Sequence, residues 1–285
     1  MSSFGTTQQL RANSGILLLM DLGLAQKIVL ITGSYRGTGR EMAKLFASEG
    51  AHVLVHGFDQ ASAEVVANEI VADGGTARAV SGDLLTNDGA EELVRAAGPV
   101  DVLIANYGIA ERGSWFGEST NDDAWFESYN KNVLSAVRLI RLCTPAMRSA
   151  GWGRIVMLGT VGTVRPGTRQ PQYYAAKGAL PAITTSLAKE LSGTGITVNL
   201  VSPGIIATDE VRDRFTKRAE QLGRPTDWPS VQQLISEEFM AVYTSRITEP
   251  RDVAALVAFV ASEQASCITG VNYRIDGGAS DAVTV

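Results

Sequence analysis

The stretch Lys27-Ile28-Val29-Leu30-Ile31-Thr32-Gly33-Ser34-Tyr35-Arg36-Gly37-Thr38-Gly39-Arg40 decides the fold. Residues 27–32 form a short β-rich run that stops at a glycine, and a helical pattern over 40–49 closes at Gly50. Between them, Gly33, Gly37 and Gly39 are spaced G-x-x-x-G-x-G. Glycine lets the backbone turn sharply and come close to a pyrophosphate, and the following helix offers free N–H groups at its positive end. A Gly-rich turn alone also serves as a plain turn; its place between a strand and a helix carries the phosphate reading.

Outward from this stretch the same alternation repeats. Apolar runs at 51–56, 76–80, 100–105, 154–158, 196–201 and 271–275 are expected as strands. Helices are expected at 61–72, 88–97, 120–150 with Thr120 as N-cap, 171–191 and 250–261. Continuous apolar strands separated by helices mean a parallel sheet covered on both faces. With right-handed crossovers this is an α/β protein, a single Rossmann-type doubly wound parallel sheet. Residues 20–285 read as one domain and residues 1–19 as an N-terminal extension. The text Met20-Asp21-Leu22-Gly23-Leu24 looks like a second beginning. Residues 205–247 break the rhythm after a strand end and are rich in charge and aromatics. Ligands bind at such ends, so this stretch is a candidate substrate lid.

Composition narrows the function. The chain has 285 residues, 45% hydrophobic and 19% charged, with a net charge of −5. That is a globular composition without a basic footprint, and it argues against nucleic acid as a partner. No apolar run reaches the length of a membrane span. Cys143 and Cys267 are too few for a disulfide framework and are expected as buried free thiols in a reducing, cytoplasmic setting. His52 and His56 lack a third ligand at metal spacing, so no metal is assigned and packing or exposure is expected.

Tyr173-Tyr174-Ala175-Ala176-Lys177 opens a predicted helix. Tyr173 and Lys177 are i and i+4, on one face, where an ammonium favours the phenolate. The pair suits proton transfer to or from an alcohol or carbonyl oxygen. Tyr174, at i+3, is not excluded by helix geometry. Thr160 puts a hydroxyl at the end of the fifth strand, and Pro203-Gly204 marks another turn at that edge.

Here the chain resembles the short-chain dehydrogenase/reductase family over about residues 22–278. The matching pieces run in order: Thr32 to Gly39, Asp83-Leu84, Asn106-Tyr107-Gly108, Asn132, Thr160, Tyr173 with Lys177, Pro203-Gly204-Ile205-Ile206-Ala207-Thr208, and Asp276-Gly277-Gly278. The resemblance implies a hydride transfer between a nicotinamide and a ketone or secondary alcohol. Tyr173 would be the acid/base, Thr160 a donor to the substrate oxygen, Lys177 the ribose contact that lowers the Tyr173 pKa, and Asn132 the holder of a relay water. Gly33, Ser34, Gly37, Thr38 and Gly39 would shape the pyrophosphate turn. Asp83 and Leu84 would meet the adenine, Asn106 and Gly108 the adenosine ribose, and Pro203, Gly204, Ile206 and Thr208 the carboxamide side. Spacing to both Thr160 and Lys177 favours Tyr173 over Tyr174.

The chain departs from the family pattern at Thr160, where serine is usual, and at Ala105-Asn106-Tyr107-Gly108, where a second asparagine is usual. These departures motivate an alternative of another class, a catalytically silent nucleotide-binding module; the retained Asn132, Tyr173 and Lys177 speak against it. A further alternative is a reductase of carrier-bound 3-oxoacyl thioesters, whose basic docking positions here read Gly151 and Thr194, with Arg148 and Arg154 nearby. A small or cyclic ketone or secondary alcohol is the favoured substrate class. Tyr107, Trp115, Val161 and Trp228 are candidate pocket residues; Arg165 and Arg169 read as a solvated loop.

The resemblance also bears on cofactor and assembly. Gly57 stands where NAD-preferring relatives carry an acid, Phe58 where many NADP users carry arginine, and Arg36 at the other basic position. A guanidinium grips phosphate with paired hydrogen bonds, so NADP(H) is favoured with NAD(H) usable. Asp59 reads as the cap of the next helix. A homodimer or homotetramer is expected, from the apolar surplus on the helix after Thr120.

Overall fold

The computed structural model describes residues 21–280; the expected extension at 1–19 lies outside the described residues. Seven strands, β1 (Ile28–Ile31), β2 (His52–Gly57), β3 (Thr76–Ser81), β4 (Val102–Ala105), β5 (Gly153–Leu158), β6 (Ile196–Pro203) and β7 (Asn272–Ile275), form one sheet in the order β3-β2-β1-β4-β5-β6-β7. Every neighbouring pair is parallel, for example Leu30 opposite Leu54 on one side and Leu103 on the other. The expected doubly wound sheet is therefore present. Its strand order reverses between β1 and β4, the switch point where this architecture opens a crevice.

Alternation along the strands sends side chains to two separate cores. Val29, Ile31, Val53 and Val55 pack with Met42 and Phe46 of α1 (Gly37–Ser48), Ile70 of α2 (Gln60–Ala72) and Val257 of α10 (Pro250–Val260). Leu30, Leu54 and Leu103 pack on the opposite face with Leu93 of α3 (Asn87–Ala97) and Leu139 of α5 (Ser135–Ala150). Asp59 caps α2 by accepting from Ser62 N–H at 2.8 Å, as expected.

Three expectations change. The helix expected over 120–150 is α4 (Asp122–Tyr129), a π-helical turn (Asn130–Leu134) and then α5. Its cap is Asn121, which accepts from Ala124 N–H at 3.0 Å; Thr120 closes a preceding 3₁₀ turn and donates to Gly117 carbonyl instead. The helix expected over 171–191 is α6 (Pro171–Gly178) and α7 (Leu180–Glu190), interrupted at Ala179 just before Pro181, which lacks an N–H to continue the ladder. Cys143 is buried, which pushes its thiol up to about 12, but Cys267 is exposed. The candidate lid at 205–247 is helical. It forms α8 (Asp209–Gln221) and α9 (Trp228–Glu238), closed on a small core of Phe215, Ala219, Val231, Leu234, Ile235 and Ile247. Among the described residues no helix is long and apolar enough to cross a membrane.

Candidate active site

At the switch point, β1 runs into the turn before α1. Gly33 and Gly37 have φ of 64° and 53°, a region costly for side chains with a Cβ. Gly39 is required for a different reason: a Cβ there would stand 2.5 Å from the Gly33 carbonyl oxygen. The turn is therefore closed down to backbone, as a pyrophosphate cradle needs. Asn106, at the end of β4, holds it from the side by donating to the Thr32 carbonyl at 2.8 Å, while Tyr107 N–H donates to Thr32 Oγ1 at 2.9 Å. One amide thus does the bracing despite the missing second asparagine.

Across the crevice, α6 presents Tyr173 and Lys177. A cavity of about 120 Å³ touches both, with Thr38 and Asn106 on the turn side, Leu158 and Gly159 at the end of β5, Pro203 at the end of β6 and Ile206 beyond it. Gly108 also lines it. A Cβ on Gly108 would approach Asn132 Oδ1 to 2.7 Å and Lys177 Nζ to 2.9 Å, so three predicted residues converge at one point. Asn132 is placed by the π-helical turn; its amide donates to the Ile109 and Ser128 carbonyls, both at 3.0 Å, and its oxygen accepts from Ile109 N–H at 3.0 Å. The π-turn was not legible in the sequence.

Thr160 caps a 3₁₀ turn, accepting from Gly162 N–H at 3.1 Å, and its hydroxyl is near enough to Tyr173 to act on the phenol. Burial pushes the Tyr173 phenol up to about 12, with the Thr160 hydrogen bond pulling the other way. Lys177 donates to the Leu158 carbonyl at 2.7 Å, and burial pushes its ammonium down to about 8. Burial thus sets both groups, and the expected lowering of Tyr173 by Lys177 does not dominate. A phenol this high is a proton donor at neutral pH. Tyr174 differs: its hydroxyl donates to Gln170 Oε1 at 3.2 Å and its ring packs against Gly162. The geometry separates the two tyrosines that helix spacing alone left open.

The remaining predicted residues are dispersed. Ser34 is buried in the turn and donates to the Ile31 carbonyl at 2.7 Å. Asp83 accepts from Leu85 N–H at 2.9 Å, and Leu84 is buried behind it. Thr208 caps α8 and stands over Gly37; Gly204 packs on Asp276. Arg36 precedes α1 and pairs with Glu210 of α8 at 3.2 Å, both exposed. Tyr107 turns its ring onto Phe58, beyond the end of β2, with centroids 5.0 Å apart. Trp115 is 60% exposed and packs on Trp125, and Trp228 lies under the Arg212 guanidinium at 3.9 Å; neither lines the cavity. Val161 is buried beside Thr160. Arg165 and Arg169 are exposed, and Arg165 donates to the Ala279 carbonyl at 3.2 Å.

Residues 27–219 match the sequence model of the short chain dehydrogenase family. The chain belongs to that family. It is 34% identical over 262 residues to the uncharacterized oxidoreductase YvrD of Bacillus subtilis (strain 168), covering 91% of this chain and 98% of that one. It is 32% identical over 260 residues to the 3-oxoacyl-[acyl-carrier-protein] reductase FabG of Haemophilus influenzae, covering 88% and 97%. Among solved structures it is similar to L-sorbose reductase from Gluconobacter frateurii complexed with NADPH and L-sorbose, with a TM-score of 0.85, 29% identity and coverage of 93% and 100%. This short-chain dehydrogenase is an NAD(P)-dependent oxidoreductase acting on the alcohol/carbonyl pair.

Proposed function

We propose that this short-chain dehydrogenase reduces a small or cyclic ketone, with NADP(H) favoured and NAD(H) usable. The observation that carries the reading is the convergence of Tyr173, Lys177 and Asn106 on one cavity, with the Thr160 hydroxyl near enough to Tyr173 to act on its phenol. The glycine turn fits a dinucleotide, because side chains are excluded where its phosphates would approach. A nicotinamide held there supplies the hydride. The chain's own residues do the rest: Thr160 and Tyr173 hydrogen-bond the carbonyl oxygen, and Tyr173 gives it a proton. Lys177 is set to contact the ribose, and Asn132, bonded to the Ile109 backbone, is set to hold the relay water. Ser34, Thr38, Asp83, Leu84, Pro203, Gly204, Ile206 and Thr208 line the length of the dinucleotide, and 205–247 acts as lid on a single domain, 20–285.

Support for NADP(H) comes from Gly57, which puts no acid at the end of β2, and from Arg36 beside the turn. Two structural neighbours hold that cofactor: the L-sorbose reductase above, and a 3-oxoacyl (acyl-carrier-protein) reductase from Agrobacterium tumefaciens C58 with NADP bound, 27% identical with a TM-score of 0.81. A panel of ketones and alcohols, followed at the reduced-nicotinamide absorbance with both cofactors in both directions, tests the reading. Turnover of neutral ketones with NADPH is expected; no turnover of any carbonyl would return the chain to the silent-module alternative.

The FabG relatives favour a second reading, a carrier-bound 3-oxoacyl substrate. The two arginines that would serve a carrier are otherwise engaged: Arg154 is buried and bonds Ser262 and Gly195 carbonyls and Glu263, and Arg148 pairs with Glu190. A carrier-linked thioester turned over far faster than free ketones would establish it.

For assembly, Phe126, Tyr129 and Leu134 remain exposed around a cavity of about 680 Å³ on the outer face of α4 and the π-turn. That surface supports a homodimer or homotetramer, and light scattering at micromolar concentration reports it directly. Two free cysteines are in keeping with a cytoplasmic location.

A further inference from the structure

His56 is fully buried at the end of β2 and is joined to both loops that flank that strand. Its Nδ1 accepts from Gly33 N–H at 3.0 Å, so Nδ1 carries no proton, and Nε2–H donates to the Gly82 carbonyl at 3.1 Å. Its backbone N–H donates to Ser34 Oγ at 2.9 Å, and its carbonyl accepts from Ser34 N–H at 3.0 Å. One residue thus fixes the first two positions of the glycine turn and, through Gly82, the backbone next to Asp83. Gly33 N–H is turned into the protein by this bond, which sets the direction in which the rest of the turn faces the crevice.

We propose that His56 is a positioning residue for the dinucleotide: its neutral imidazole holds the pyrophosphate turn and the adenine-side loop at the spacing one ligand must span. The inference rests on reading residues 32–39 as the phosphate turn. Ordering both loops before binding spares the ligand that cost. A protonated ring has no acceptor for Gly33, so the clamp opens on protonation. Burial lowers the His56 pKa, and the Gly82 bond opposes this more weakly. The groups around it are Ser34 and Tyr35 in the turn, Phe58 just past the end of its strand with Tyr107 beyond, Asp59 bonded to Ser62, and Asp83 after Gly82.

The test is calorimetric titration of the full chain with oxidised NADP from pH 8 to pH 5, on wild type, His56→Asn and His56→Leu, with circular dichroism for the fold. Asn offers an oxygen to Gly33 but cannot titrate; it is expected to bind at pH 8 within about fivefold of wild type. Below the ordinary histidine range, wild type should lose affinity by about tenfold more than His56→Asn. Ionisation of the ligand phosphate affects both proteins and cancels. His56→Leu, if folded, should bind about ten- to a hundredfold more weakly at every pH. Identical pH profiles for wild type and His56→Asn, or unchanged binding by folded His56→Leu, would overturn the proposal. Wild type that binds neither NADP nor NAD would remove the phosphate-turn reading and the proposal with it.

Discussion

The glycine turn at 32–39 and the insert at 205–247 both border the crevice, but they are built by opposite means. The turn is fixed through its backbone: the Thr32 carbonyl accepts from Asn106, Gly33 N–H donates to His56, and Gly39 leaves no room for a methyl group. The insert is fixed by side chains. Its helices close on their own small core, with an ion pair Arg224–Glu237 at 2.7 Å inside the insert and another, Arg212–Glu249 at 2.7 Å, joining it to the start of α10. A site of the first kind is rigid and suits a ligand common to many proteins. One of the second kind can be resculpted by exchanging side chains, and it suits a substrate.

If the contrast holds, damage to the turn should be severe and confined to the dinucleotide. Gly39→Ala should weaken NADPH binding more than about a hundredfold, the scale of an ångström-sized misplacement, with the fold intact by circular dichroism. Tight binding by that variant would break the contrast outright. Arg36→Ala probes the edge between the two regions, since Arg36 is shared with Glu210 of α8. The Michaelis constant for NADPH should rise about ten- to a hundredfold and that for NADH hardly at all. Equal movement of the two constants would deny Arg36 its role.

On the insert side, Phe215→Ala should cost about 3 kcal/mol locally and raise the ketone Michaelis constant, while calorimetry finds cofactor affinity unchanged. A matching loss of NADPH affinity would show that the two regions fold as one unit. The smallest effect concerns Lys177. Its buried ammonium is held at about 8 against 10.5 in the unfolded chain, so between those values the unfolded state binds more protons. Stability should therefore rise with pH across that window. The melting midpoint of Lys177→Met should rise less than that of wild type between pH 8 and pH 10.

The same contrast explains what the sequence could and could not say. Backbone-built parts announce themselves, because Gly33, Gly37 and Gly39 have few substitutes and the Val-, Ile- and Leu-rich strands have one plausible partner geometry. The sheet, the turn and the Tyr173/Lys177 face were legible for that reason. Side-chain-built parts were not. Trp115 and Trp228 looked like pocket residues by type, yet one packs on Trp125 and the other under Arg212. The π-turn that sets Asn132 depends on an extra backbone residue in a helix, which hydrophobic spacing does not register. His56 carried no motif at all; only the approach of two distant loops gives it partners.

The central claim is that Tyr173, and not its neighbour, protonates the substrate oxygen in a site whose cofactor binding is independent of it. It is tested most directly by measuring NADPH binding and single-turnover ketone reduction on wild type, Tyr173→Phe and Tyr174→Phe. The account predicts three similar NADPH affinities, a loss of about a hundredfold or more in the hydride-transfer rate for Tyr173→Phe, and a rate within a few-fold of wild type for Tyr174→Phe. A Tyr173→Phe protein that reduces ketones at the wild-type rate, or a Tyr174→Phe protein that does not, would contradict it.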